Sequence, residues 1–135
     1  MDISGDWYNE LKSKMVLTVD GSGFTGTYNT GVGDASGEYP LVGRWDPSGE
    51  ESQAIGFVVT WQNGSKNTPA VTSWSGQVQT NDQGDEVILT TWLLTEETER
   101  DSDWASTTIG QDVFTRQPPA APIRLLKAAA HPATA

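Results

Sequence analysis

Along most of the chain, bulky apolar side chains recur at every second position in short runs, and clusters of Gly, Asn, Asp and Ser fall between the runs. A period of two belongs to half-buried strands, because successive side chains of extended backbone point to opposite sides. The runs predict eight strands, at about 5–11, 14–19, 24–30, 39–45, 54–61, 71–79, 86–95 and 107–116. Helical spacing is nearly absent before residue 118. Asp20-Gly21-Ser22-Gly23 and Asn81-Asp82-Gln83-Gly84-Asp85 are rich in residues that tolerate positive φ, so both are read as hairpin connections. Eight sequential antiparallel strands joined by short loops close into an all-β, up-and-down β-barrel, which removes the sheet edges and leaves an interior able to hold one small ligand. A Greek-key sandwich is the rival architecture.

From Gln117 the pattern changes to Pro-Pro-Ala-Ala-Pro, then Ile-Arg-Leu-Leu-Lys and a tail of Ala and Pro. This predicts a barrel over 1–117 with an appended tail over 118–135, most simply disordered. A sharper alternative has Ile123, Leu125 and Leu126 docking on a neighbouring barrel.

Sorting each strand by parity gathers Trp7, Asn9, Leu11 and Ser13 on one face, Tyr28 and Thr30 on another, then Thr72 with Trp74, Trp92 with Leu94, and Gly110 with Asp112 and Phe114. Each set joins aromatic or apolar bulk to hydrogen-bonding groups. A solid core would avoid the polar atoms, since each one left unsatisfied costs about 1–3 kcal/mol. Aromatic walls with a few convergent polar groups describe a small-molecule pocket instead. On the opposite faces, Val87, Leu89, Thr91, Leu93, Ile109 and Val113 point outward, and apolar surface of that extent predicts a homo-oligomer built through the last strands.

Composition narrows the partners. With 8 Lys and Arg against 18 Asp and Glu, the surface repels phosphate backbones and anionic headgroups, so neither nucleic acid nor membrane is expected. There is no cysteine, which excludes disulfides and thiolate metal sites, and the one histidine, His131, lies in the tail. The start, Met1-Asp2-Ile3-Ser4-Gly5, lacks the basic and apolar parts of a secretory signal. Enzymatic chemistry is left with carboxylates alone, and the pocket acid Asp112 has no acidic partner evident in the sequence. Gly21-Ser22-Gly23-Phe24-Thr25-Gly26 has the spacing of a dinucleotide loop, but strand-like residues follow it where a helix is needed. Asn63-Gly64-Ser65 reads as a loop turn, and Glu50-Glu51 and Glu96-Glu97 as solvated loop acids.

Gly5-Asp6-Trp7-Tyr8-Asn9, Thr25-Gly26-Thr27-Tyr28, Trp61, Trp74-Ser75-Gly76-Gln77, Thr91-Trp92-Leu93-Leu94 and Gly110-Gln111-Asp112-Val113-Phe114-Thr115 occur in an order and spacing that resemble the avidin and streptavidin family, its bacterial branch above all, over roughly residues 5–116. The resemblance implies a secreted, non-enzymatic biotin-binding barrel with biotin as ligand and no cofactor or metal. It implies that Asn9, Ser13 and Tyr28 donate to the ureido oxygen of biotin, and that Thr30 and Asp112 accept from the ureido N–H groups. Trp61, Trp74, Trp92 and Leu94 are implied as walls, Thr72 as the hydroxyl near the ring sulfur, and Trp104 as a lid reaching a neighbouring subunit's site. The segment 30–37 matches the loop that closes over the ligand, with Val32 lining it and the Asp34 backbone N–H meeting the biotin carboxylate. A tetramer is implied, although Ile109 and Gln111 stand at positions that leave a dimer or a larger assembly open.

Two positions depart from the bacterial pattern: Ala70 replaces a serine, and Asp34 an asparagine. One hydrogen bond fewer and one like charge more weaken carboxylate binding by roughly 1–3 kcal/mol together, so binding is expected tight but below the family's best. The same departures also admit a barrel that has drifted to another small ligand or to a protein partner.

Overall fold

The computed structural model describes residues 1–30, 38–62, 64 and 68–119. Eight strands run in chain order: β1 Gly5–Tyr8, β2 Lys14–Asp20, β3 Gly23–Asn29, β4 Tyr39–Trp45, β5 Gln53–Thr60, β6 Ala70–Thr80, β7 Glu86–Glu96 and β8 Thr107–Thr115. Each pairs antiparallel with the next, and β8 returns to β1, so the sheet is a closed up-and-down barrel and not a sandwich. The expected hairpins form. Gly21 takes a φ of 64° between β2 and β3, and the Asn81 side chain accepts the Gln83 and Asp85 N–H groups in the turn before β7. The dinucleotide-like glycines are that first hairpin.

The structure corrects the reading in three places. The first strand ends at Tyr8, short of the expected residue 11, because Asn9 closes a tight turn with Lys12 at a φ of 67°. Leu11 therefore sits half-buried in the turn, apart from the face shared by Trp7 and Ser13. A short 3-10 helix, Arg100–Ala105, fills the β7–β8 connection and was not anticipated. Val87 is buried despite its outward parity, since it lies in a surface depression bordered by Thr115, Arg116 and Gln117.

Inward residues form rows around the barrel, set by register. One row runs through Phe24, Gly43, Phe57, Trp74, Trp92 and Gly110, each opposite the next. The two glycines of the row stand beside bulky rings for a reason of space. A Cβ on Gly110 would lie 2.2 Å from the Trp92 ring, and one on Gly43 would lie 2.4 Å from the Phe24 ring. The glycines admit the aromatic rings, and Trp74 stacks on Phe57 at 4.9 Å between centroids.

The barrel closes on a slant. β1 and β8 share one ladder position, Tyr8 opposite Thr115, and side chains complete the seam on either side of it. On one side Arg116 donates to the carbonyls of Asp2, Ser4 and Asp6, and its guanidinium lies 3.8 Å from the Trp7 ring centroid. On the other, beyond Tyr8, the Glu10 carboxylate accepts the Val113 N–H at 2.8 Å, where a longer β1 would have offered a carbonyl.

Candidate functional site

Because the strands alternate in direction, the strand ends flanking 9–13, 30–38, 61–69 and 97–106 all lie at one end of the barrel. The residues singled out from the sequence lie on these connections or on inward positions of the strands leading to them.

Asn9 is held by its backbone surroundings. Its Oδ1 accepts the N–H groups of Leu11 and Ser13, both at 2.9 Å, which turns the amide nitrogen inward, and Nδ2 donates to the Tyr28 hydroxyl at 3.2 Å. The Tyr28 phenol is fully buried, and burial, then the charge of Asp112, pushes its pKa up well above the ordinary value. It stays protonated and keeps its own O–H to donate. β2 and β3 pair Met15 with Tyr28, so the same register carried outward sets Ser13 opposite Thr30. Both of these hydroxyls are completely buried, and neither Ser13 Oγ nor Thr30 Oγ1 finds a hydrogen-bond partner among the described residues. Buried polar atoms in such a state are rare in folded chains, and two of them side by side single out this end of the barrel.

Asp112, 2 % exposed, accepts the Trp74 indole N–H at 2.8 Å, and its backbone carbonyl accepts the Thr90 hydroxyl. Its acidic partner, not evident from the sequence, is Glu10. That carboxyl is 5 % exposed, and its pKa is raised to about 9, first by burial and then by hydrogen bonding to and charge repulsion from Asp112. Nothing in the alternation points to Glu10, whose parity opposes that of Asn9. Its place follows from the slant of the closure, which only the folded barrel reveals.

The aromatic walls converge as well. Trp61 donates to Thr72 Oγ1 at 2.8 Å and packs edge-on against Tyr28 and Tyr39 at 5.5 and 5.1 Å, while Trp74 lies 5.3 Å from Tyr28. Trp92 and Leu94 line the next strand, opposite Trp74 and Thr72, and Ala70 is buried at the start of β6. Tyr39 and Phe57, which the sequence reading had not placed here, complete the aromatic cluster. Trp104 stands on the 3-10 helix and is 84 % exposed, outside the cluster of buried residues. Val32, Asp34, most of the Asn63 turn and the tail from 120 onward lie outside the described residues.

Outside the barrel, Leu89, Leu93 and Ile109 are exposed on β7 and β8. Among the described residues, no three His, Cys, Asp or Glu side chains cluster as a metal site would require, and no helix is long and apolar enough to cross a membrane.

Comparison with known proteins adds two findings. The model of the Avidin family matches residues 1–117. Avidin of Gallus gallus is 36% identical over 121 residues, covering 84% of this chain and 77% of that protein. Avidin-related protein 4/5 of the same species is 38% identical over 120 residues with the same coverage, and Afifavidin of Afifella pfennigii is 35% identical over 97, covering 68% of this chain and 57% of that protein.

Proposed function

Given that the chain belongs to the avidin family, we propose that it binds biotin non-covalently inside its barrel. The observation that carries this reading is the pair of buried hydroxyls, Ser13 and Thr30, whose hydrogen-bonding capacity the described residues leave unfilled, beside an amide and a phenol. Asn9, Ser13 and Tyr28 are placed to donate to a ureido oxygen. Thr30 and Asp112 are the acceptors for the ureido N–H groups, with Asp112 anchored through Trp74. Charge-assisted hydrogen bonds of this kind are about twice as strong as neutral ones. Trp61, Trp74, Trp92 and Leu94 enclose the bicyclic ring, and Thr72, held by Trp61, is the hydroxyl near its sulfur.

Ala70 offers no hydroxyl to the biotin carboxylate, and Asp34 brings a negative side chain to the loop expected to close over it. Affinity is accordingly high but below that of a site with both polar groups, and Val32 belongs to the proposed set of biotin-binding residues. The family's proteins are binding proteins, and we assign this one no catalytic role. It assembles as a tetramer through the outer faces of β7 and β8, with Trp104 contributed to a neighbour's site, and acts as a secreted protein. The barrel domain is 1–117, with 118–135 an appendage.

Titration of biotin-free protein with biotin, followed by intrinsic Trp fluorescence, tests the reading. One biotin per chain with slow release of labelled biotin supports it. A flat titration overturns it in favour of a barrel specialised for another ligand.

A further inference from the structure

The second buried carboxyl at the base of the site has no role in the reading above. Glu10 reaches Asp112 from the β1–β2 turn, fixed by the Val113 N–H on one oxygen, while its other oxygen, Oε2, is buried and receives no hydrogen bond from the described residues. Two carboxylates in hydrogen-bonding range repel, and desolvation removes the screening that would make this tolerable. A single proton between them resolves both problems.

The surroundings decide which oxygen carries it. Asp112 accepts the Trp74 N–H from β6, which favours its ionised form. Glu10 receives only backbone N–H groups, its own and that of Val113 on β8. From β3 the one titratable neighbour is the Tyr28 phenol, which stays neutral. Among the described residues, no cation acts on Glu10.

Resting on the biotin reading, we propose that Glu10 is a positioning residue of the site: as a neutral acid it donates a hydrogen bond to Asp112, so that the pair holds one proton and one charge and Asp112 meets the ligand as an anion. A protonated Glu carries a donor on one terminal atom and an acceptor on the other, an arrangement a glutamine reproduces with its NH2 and carbonyl oxygen. Loss of that proton sets a second charge beside Asp112, which pushes the two carboxylates apart and moves Asp112 off the ureido N–H.

Dissociation of labelled biotin from the full chain, E10Q and E10A between pH 6 and pH 10.5 tests this. Because Glu10 ionises near pH 9, wild-type affinity should fall by up to about tenfold per pH unit beyond that point. E10Q should show no such fall, and E10A should release biotin faster than wild type below pH 9, with E10Q rescuing the loss at pH 7. Parallel pH profiles for wild type and E10Q overturn the proposal.

Thermal unfolding without ligand gives a second readout, independent of biotin. The unfolded carboxyl titrates at its ordinary 4.5 and the folded one at about 9, so wild type should lose stability relative to E10Q as pH climbs between those values, with a constant difference above. A difference that ignores pH overturns the shared proton. Failure of wild type to bind biotin at pH 7 would instead sink the biotin reading and leave this stability series to judge the pair.

Discussion

At the scale of single residues, the site depends on side chains that are oriented before any ligand arrives. Asn9 spends its oxygen on two backbone N–H groups and thereby aims its nitrogen at Tyr28. Asn9→Ala should therefore cost about 1–2 kcal/mol of stability in urea denaturation as well as weakening biotin, whereas Tyr28→Phe, which orphans no backbone group, should weaken biotin with a smaller stability loss. Gly110→Ala should destabilise by about 1–3 kcal/mol and weaken biotin together, because the added carbon collides with the Trp92 ring. The sequence made most of these inward residues legible, since alternation alone sorts Trp74, Trp92 and Asp112 to the interior. It could not reveal Glu10. That residue enters through a turn, where parity no longer reports direction, and its partner is 102 positions away along the chain.

At the scale of elements, seven of the eight strands were readable to within a residue or two of their ends, because period-two alternation bounded by Gly, Asn and Asp leaves little freedom. The first was not. Its apolar pattern continues to Leu11, but the Asn9 side chain competes with the ladder for the backbone and wins. What β1 lacks in length is made up by side chains, above all Arg116, which binds three carbonyls of the N-terminal segment and covers Trp7. Arg116→Ala should lower stability by about 1–3 kcal/mol in urea denaturation. Hydrogen exchange should quicken first in residues 2–8 and leave β6 and β7 protected, whereas uniform acceleration would show that the seam has no separate stability.

At the scale of the whole molecule, a monomeric barrel leaves Leu93, Ile109 and Trp104 largely exposed to water. Leu93→Lys combined with Ile109→Lys should reduce the mass measured by light scattering toward that of one chain. Trp104→Ala should speed biotin release with little effect on the unfolding of a single barrel, and equal off-rates would exclude a lid shared between subunits. The direction of the strands has a mechanical meaning too. Both described chain ends leave the barrel opposite the connections that surround the site, since β1 begins and β8 finishes there. A load applied to a bound ligand and resisted by a tether at either terminus therefore pulls along the strands. The rungs between neighbouring strands are sheared all at once and not peeled one by one, except along the β1–β8 line, where a single rung and the side chains of Arg116 and Glu10 bear the tension. Under force, the barrel should tear open there while the other seven strand pairs still hold.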